Sequence, residues 1–168
     1  MAVVDYFLKI DGIDGESTDA KHKDEIELLS FSWGVSQTTV QSPTGGSTGK
    51  VSFQDIHFTT QTSKASPKLM LACATGSHIK TASLVLRKAG EKPLEYLKIS
   101  LTDILVSSYA PCGNSGENPV EEFSFNFAKI EFDYTPQNAD GSAGEVVTTG
   151  YDLKAQKSAL DTPRFPSR

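Results

Sequence analysis

Apolar and polar residues alternate with a period of two along most of this chain, the pattern of strands with one face in a core and one in water. Val4, Tyr6, Leu8 and Ile10 oppose Val3, Asp5, Phe7 and Lys9 before Asp11-Gly12 and Asp14-Gly15 break the run. Between Ile26 and Gln37, Phe31, Trp33 and Val35 alternate with Ser30, Ser32, Gly34 and Ser36, which predicts one long strand with a dry and a wet side. The alternation resumes from Val51 to Thr60, so these two segments read as a pair joined by a long exposed arm rich in Gly, Ser and Thr. Ser66-Pro67 and Gly76 bracket a short apolar helix, with Ser66 as its expected N-cap. Ile79–Ala89 and Leu94–Val106 form a predicted hairpin around the Gly90–Pro93 turn, the second strand burying Leu97, Ile99, Leu101 and Leu105. Pro111–Pro119 is a predicted loop that includes Cys112, and Val146–Lys154 is a last strand.

The segment Glu121–Tyr134 changes phase. Phe123, Phe125 and Phe127 lie on one parity, and Ile130, Phe132 and Tyr134 on the other. A bulge near Ala128, or a crossing between sheets, would reconcile the two halves. Seven or so strands, one helix and no βαβ rhythm predict a mainly β fold: a closed or nearly closed β-barrel of two antiparallel sheets with one short α-helix. The residues 160–168, with Pro163 and Pro166 and no period, are expected to form a flexible C-terminal tail on a single domain spanning 1–159.

A chain of 168 residues is long enough for one substantial core. Its 16 basic and 21 acidic residues give a net charge of -5 without a basic block, which disfavours nucleic-acid binding. No run reaches membrane-spanning length, and the N-terminal segment, interrupted by Asp5 and Lys9, does not resemble a secretory leader. Neither a leader nor the aromatic girdles of an outer-membrane barrel are legible, so the expectation is a protein made in the cytoplasm without membrane insertion. Two cysteines, Cys73 and Cys112, are too few for a disulfide scaffold and are expected to be free thiols.

Candidate chemistry is sparse. Thr44–Lys50 superficially suggests a phosphate-binding loop, but Thr44 replaces the first glycine, Val51 follows the lysine where Ser or Thr is required, and a strand follows instead of a helix. Asp11, Asp14, Glu16 and Asp19 have the wrong offsets for a calcium loop and suit turns better. His22, His57 and His78 lack partners at metal-ligand spacing, and Cys73 sits among apolar neighbours. No nucleophile-elbow motif is present. Neither a metal, a cofactor nor an enzymatic activity is expected. The small polar face carrying Ser30 and Ser32 reads either as an ordinary solvated strand face or as a packing or passage surface in an oligomer.

Dispersed motifs in order resemble the hemolysin-coregulated protein (Hcp) family of type VI secretion systems. They include Gly15-Glu16-Ser17, Ser32-Trp33-Gly34, Ser36-Gln37, Gly49-Lys50-Val51, Gln54-Asp55, Leu69-Met70, Ala72-Cys73, Arg87-Lys88-Ala89-Gly90, Leu105-Val106-Ser107-Ser108, Asn126-Phe127-Ala128 and Asp133-Tyr134, spread over Met1 to about Ala159. The resemblance implies a small barrel that assembles into homo-hexameric rings and stacks into the inner tube of a contractile injection machine. It also implies export of the protein itself, with spike and sheath or baseplate components and effector proteins as partners. Ser32, and Ser30 beside it, would then face the lumen and help retain effectors. Gln41, Ser42, Pro43, Thr44, Gly45, Gly46, Ser47, Thr48 and Gly49 would form the loop that packs on a neighbouring ring. The rival readings are a monomeric β-sandwich module binding carbohydrate through Trp33 and exposed tyrosines, and a hydrolase whose triad is assembled only in space.

Overall fold

The computed structural model describes residues 3–40, 43–45 and 47–159. In chain order the strands are β1 (Val4–Ile10), β2 (Ile26–Ser32), β3 (Val35–Val40), β4 (Ser47–Phe53) and β5 (Ile56–Gln61). Helix α1 (Ser66–Thr75) follows, then β6 (Ile79–Lys88), β7 (Leu94–Cys112), β8 (Val120–Tyr134), β9 (Val147–Asp152) and the two-residue β10 (Lys157–Ser158). Antiparallel pairing runs β8-β5-β2-β1-β6-β7, and β7 pairs back onto β8, so six strands close a barrel. β9 and β10 extend the sheet beyond the far end of β8. β3 and β4 pair with each other in a separate two-stranded sheet. Closure removes the unpaired edges that an open sheet would expose.

The barrel is filled by the inward parity of each strand. Phe58, Phe123 and Phe125 are at most 1% exposed, and their ring centroids lie 5.2–5.5 Å apart. Leu8, Leu84, Ile99, Leu101 and Ile104 complete the same cluster. Helix α1 adds Leu69 and Ala72 to this core and leaves Met70 and Leu71 exposed, so it is embedded on one side only. Gly76 ends the helix in the left-handed conformation, φ 65°, and its N–H donates to Ala72 O, the expected C-terminal stop. The N-terminal expectation is corrected: Ala65 holds the cap position, because the Ser66 hydroxyl is turned inward to donate to Glu121 Oε1 at 2.8 Å. Glu121 is 1% exposed and takes a second hydrogen bond from Tyr109 at 2.7 Å, so its buried carboxyl group is held by two hydroxyl donors.

The predicted phase change in β8 is real, but its form differs from a bulge in one strand. Phe127 is buried, Ile130 is buried, and the pairing with β7 keeps its register from Phe127↔Ile104 to Lys129↔Thr102. The partner strand changes phase at the same level, burying Leu101 and then Ile104 and Val106. Leu105, expected in the core, is therefore only half-buried. Asp103 at this level has φ 54°, so the two strands turn together and neither gains a residue. Beyond the bend β8 exchanges β5 for β9, with Leu153 N–H donating to Ala128 O. β7 also runs further than predicted: Pro111 and Cys112 pair with Glu121 and Val120 instead of lying in a loop. Proline is tolerated there because β6 no longer flanks this stretch.

Two long segments expected as single strands are each divided. Ile26–Gln37 splits at Trp33-Gly34 into β2 and β3, and Val51–Thr60 splits at Gln54-Asp55 between β4 and β5. Val35, expected on the dry side, is 52% exposed, because β3 has already left the barrel. The segment 11–25 lies as a strap over the outer face of β1. His22, 6% exposed, stacks on Phe7 at 4.3 Å and places its ring nitrogens 2.9 Å from Glu25 and Glu95 carboxylate oxygens. The Arg87 guanidinium lies over the Phe7 ring, 4.9 Å from its centroid, and grips Asp19 at 2.7 Å and Asp5 at 3.2 Å. Phe7, and Val85 paired with it on β6, are thus buried outside the barrel, Phe7 on the face where the sequence alternation placed solvent.

Candidate functional site: the polar wall and the free hairpin

Two features remain after the core and the strap are accounted for. The first is an exposed wall built across β2, β5, β8 and β7. Ser30 and Ser32 lie on it as predicted, both exposed, paired in register with Thr59 and His57 of β5. Those residues pair in turn with Glu122 and Ser124 of β8, and these with Ala110 and Ser108 of β7. A bulge between Leu28 and Ser30 makes this possible: it turns Ile26 and Leu28 inward on one parity and Phe31 on the other, leaving the serines outside. The Ser124 hydroxyl is buried between those of Ser107 and Ser108, while Asn126 donates to Asp55 at 3.0 Å. None of the segments 26–32, 56–61, 105–112 and 120–127 contains a lysine or arginine. His57, Thr59, Glu122 and Asn126 were not identified from the sequence, because cross-strand register decides that they neighbour the serines.

The second feature is the β3–β4 hairpin. Its strands pair in the order Val35↔Phe53, Gln37↔Val51 and Val40↔Ser47, with a register shift between Gln37 and Thr39. A Cβ on Gly49 would sit 2.1 Å from Thr38 O, so the bulged crossing requires glycine there. Pro43, Thr44 and Gly45 are exposed around the turn; Gln41, Ser42 and Gly46 lie outside the described residues. Ser47, Thr48 and Gly49, expected in a flexible loop, belong instead to β4. The arm is thus a β-hairpin from Val35 to Phe53. At its root Gln54 N–H donates to Gly34 O at 2.9 Å, Phe53 lies 5.2 Å from Tyr151 and 6.2 Å from Phe127, and Trp33 lies 6.1 Å from Phe132.

The remaining candidates are resolved individually. Asp19 of the acidic cluster is turned to Arg87, whose hydrogen bond holds its carboxyl well below the usual carboxylate range. Asp103 is likewise lowered, first by its hydrogen bond from Lys154 and then by His78 at 2.9 Å. Burial, followed by the neighbouring Glu121, raises the Tyr109 hydroxyl. Cys73 and Cys112 are free thiols. Trp33 is half-buried, packed on the core and against Phe132, which makes it a poor open platform for stacking a sugar. Among the described residues no helix is long and apolar enough to cross a membrane.

Comparison with known proteins gives one answer. Residues 7–134 match the family described as "Type VI secretion system effector, Hcp". The protein hcp1 of Pseudomonas aeruginosa is 43% identical over 160 residues, covering 93% of this chain and 99% of the relative. The crystal structure of Hcp1 from Salmonella typhimurium superposes with a TM-score of 0.75 at 40% identity, covering 94% of this chain and 99% of that one. A solved type six secretion system protein reaches a TM-score of 0.88 at 31% identity, covering 93% and 99%. On the family match, the identity and the shared barrel together, the chain belongs to the hemolysin-coregulated protein (Hcp) family of type VI secretion systems.

Proposed function

We propose that this protein is the subunit of the type VI inner tube, forming homo-hexameric rings that stack, carry effector proteins in the lumen and leave the cell with them. Hcp proteins are structural parts of a secretion machine and not an enzyme family. The observation that carries the reading for this chain is the β3–β4 hairpin, which extends from a closed barrel and has no further strand partner among the described residues. Two strands alone are marginally stable in water, so a hairpin of this kind is best explained by a surface on another copy. Contacts that close laterally make a ring, and contacts of the same heterologous kind along the axis, left unclosed, make a filament.

In this reading the wall with Ser30 and Ser32 lines the lumen. Small hydroxyls without lysine or arginine let a folded cargo be held by many weak polar contacts and still slide. The hairpin, including the Gln41–Gly49 segment, meets the next ring. Spike and sheath or baseplate components are the partners at the ends and outside of the tube.

The test is Gly49→Val, whose side chain must displace the Thr38 carbonyl and so distort the hairpin without touching the barrel core. Sedimentation and electron microscopy should find single rings of unchanged mass and a loss of stacked rings. Stacking at the level of the unmodified protein would remove the hairpin from the ring-to-ring contact.

A further inference from the structure

Aromatic contacts tie the root of the hairpin to the barrel, and the Gln54 N–H to Gly34 O hydrogen bond closes its two legs on each other. One aromatic residue sits on each leg: Trp33 precedes β3 and meets Phe132 of β8, and Phe53 ends β4 and meets Tyr151 of β9 and Phe127 of β8. Two anchors set across the root fix both the tilt and the roll of a rigid two-stranded ribbon, whereas one would leave a hinge. A cleft of about 520 Å³ opens beside the second anchor, between Gln37, Lys50 and Val51 on the hairpin and Leu153 and Gln156 beyond β9. On that side the Phe53–Tyr151 stack, centroids 5.2 Å apart and planes 28° apart, stands between the hairpin and the open space, and the same Phe53 ring meets Phe127 at 6.2 Å.

We propose that the contact of Phe53 with Tyr151 sets the angle at which the hairpin leaves the barrel, which makes the two rings positioning residues for the surface the hairpin docks on. Naming a neighbouring ring as that surface rests on the stacking reading above; the fixed angle does not. The arrangement has a further consequence for the chain. Tyr151 pairs with Ile130 of β8 on one side and Ser158 of β10 on the other, so the C-terminal strands β9 and β10 hold an arm that begins more than 100 residues earlier.

The experiment measures the angle directly. Spin labels on Thr44→Cys at the hairpin turn and Lys80→Cys on β6, in a chain also carrying Cys73→Ser and Cys112→Ser, report the hairpin-to-barrel distance, with labelled protein diluted in unlabelled protein. Tyr151→Ala should raise the population outside the main distance peak about three- to tenfold, the range expected for losing one aromatic pair. Phe53→Leu, which keeps an apolar root without the ring, should do the same, and Tyr151→Phe should restore the single peak. Barrel melting temperature should stay within a few degrees of the parent for Tyr151→Phe and Phe53→Leu, separating a positioning role from a general loss of fold. Parent-like distance distributions in both Tyr151→Ala and Phe53→Leu would overturn the inference. Stacking is then scored on the same samples beside Gly49→Val. If Gly49→Val stacks normally while Tyr151→Ala broadens the distances, the stacking reading fails and the fixed angle stands. If Gly49→Val blocks stacking and neither ring variant changes the distances, the reverse holds.

Discussion

Asp19 and Arg87 illustrate how single side chains fasten the segment 11–25 to the barrel. The Arg87 hydrogen bond holds the folded Asp19 carboxyl below its ordinary value, so in acid the unfolded chain binds more protons than the folded one at this site. The stabilisation is therefore complete above about pH 4 and is lost as the pH falls toward the depressed value. Melting temperatures followed from pH 7 to pH 2 should show Asp19→Asn less stable than the parent at neutral pH, with the difference shrinking at the acid end. A constant difference across that range would mean that the pair contributes through packing alone. Such residues were hardly legible beforehand. Asp19 read as turn chemistry and His22 as unremarkable, since Arg87 and Glu95, their partners, come from strands far along the chain. Ser30 and Ser32 were legible because bulky apolar neighbours at alternate positions, Phe31 and Trp33, marked the serine face as the outer one.

At the level of elements, a change of parity in the apolar pattern proved the most informative sequence signal, and it was present in more strands than the one where it was recognised. Ile26 and Leu28 against Phe31 mark the β2 bulge, and Leu101 against Ile104 marks the β7 half of the shared bend. What the pattern could not give is whether a phase change shifts the register, as in β2, or is matched across the pair, as in β7 and β8. That depends on the partner strand. The division of the long strands at Gly34 and at Gln54-Asp55 was hidden because alternation continues through both breaks while the sheet changes. The bend has a testable centre. Asp103 holds φ 54°, where a β-branched residue is strained, and pairs with both Lys154 and His78. Asp103→Val should cost about 1–2 kcal/mol from the backbone alone, measured by urea unfolding, and Asp103→Asn should cost less because it tolerates the left-handed region. Equal costs would place the effect in the lost ion pairs instead.

For the whole molecule, the closed barrel holds the buried core, and the β3–β4 hairpin stands outside it. Each of the six core strands has a neighbour on both sides over part of its length, so the closed sheet is satisfied largely within the chain; among the described residues the hairpin pairs only with itself. Under the proposed function, Ser32→Gln would narrow the lumen six times over in each ring. Effector retained on purified rings, measured by co-purification, should fall while ring mass and melting temperature hold. Undiminished retention would move the cargo contact elsewhere on the wall, toward His57 or Glu122. The most direct test of the central claim is the mass of the unmodified protein in solution by light scattering, with micrographs of the same sample. The account predicts rings of six chains, each of 18.1 kDa, with a central opening. A single species of 18.1 kDa at high concentration would contradict it.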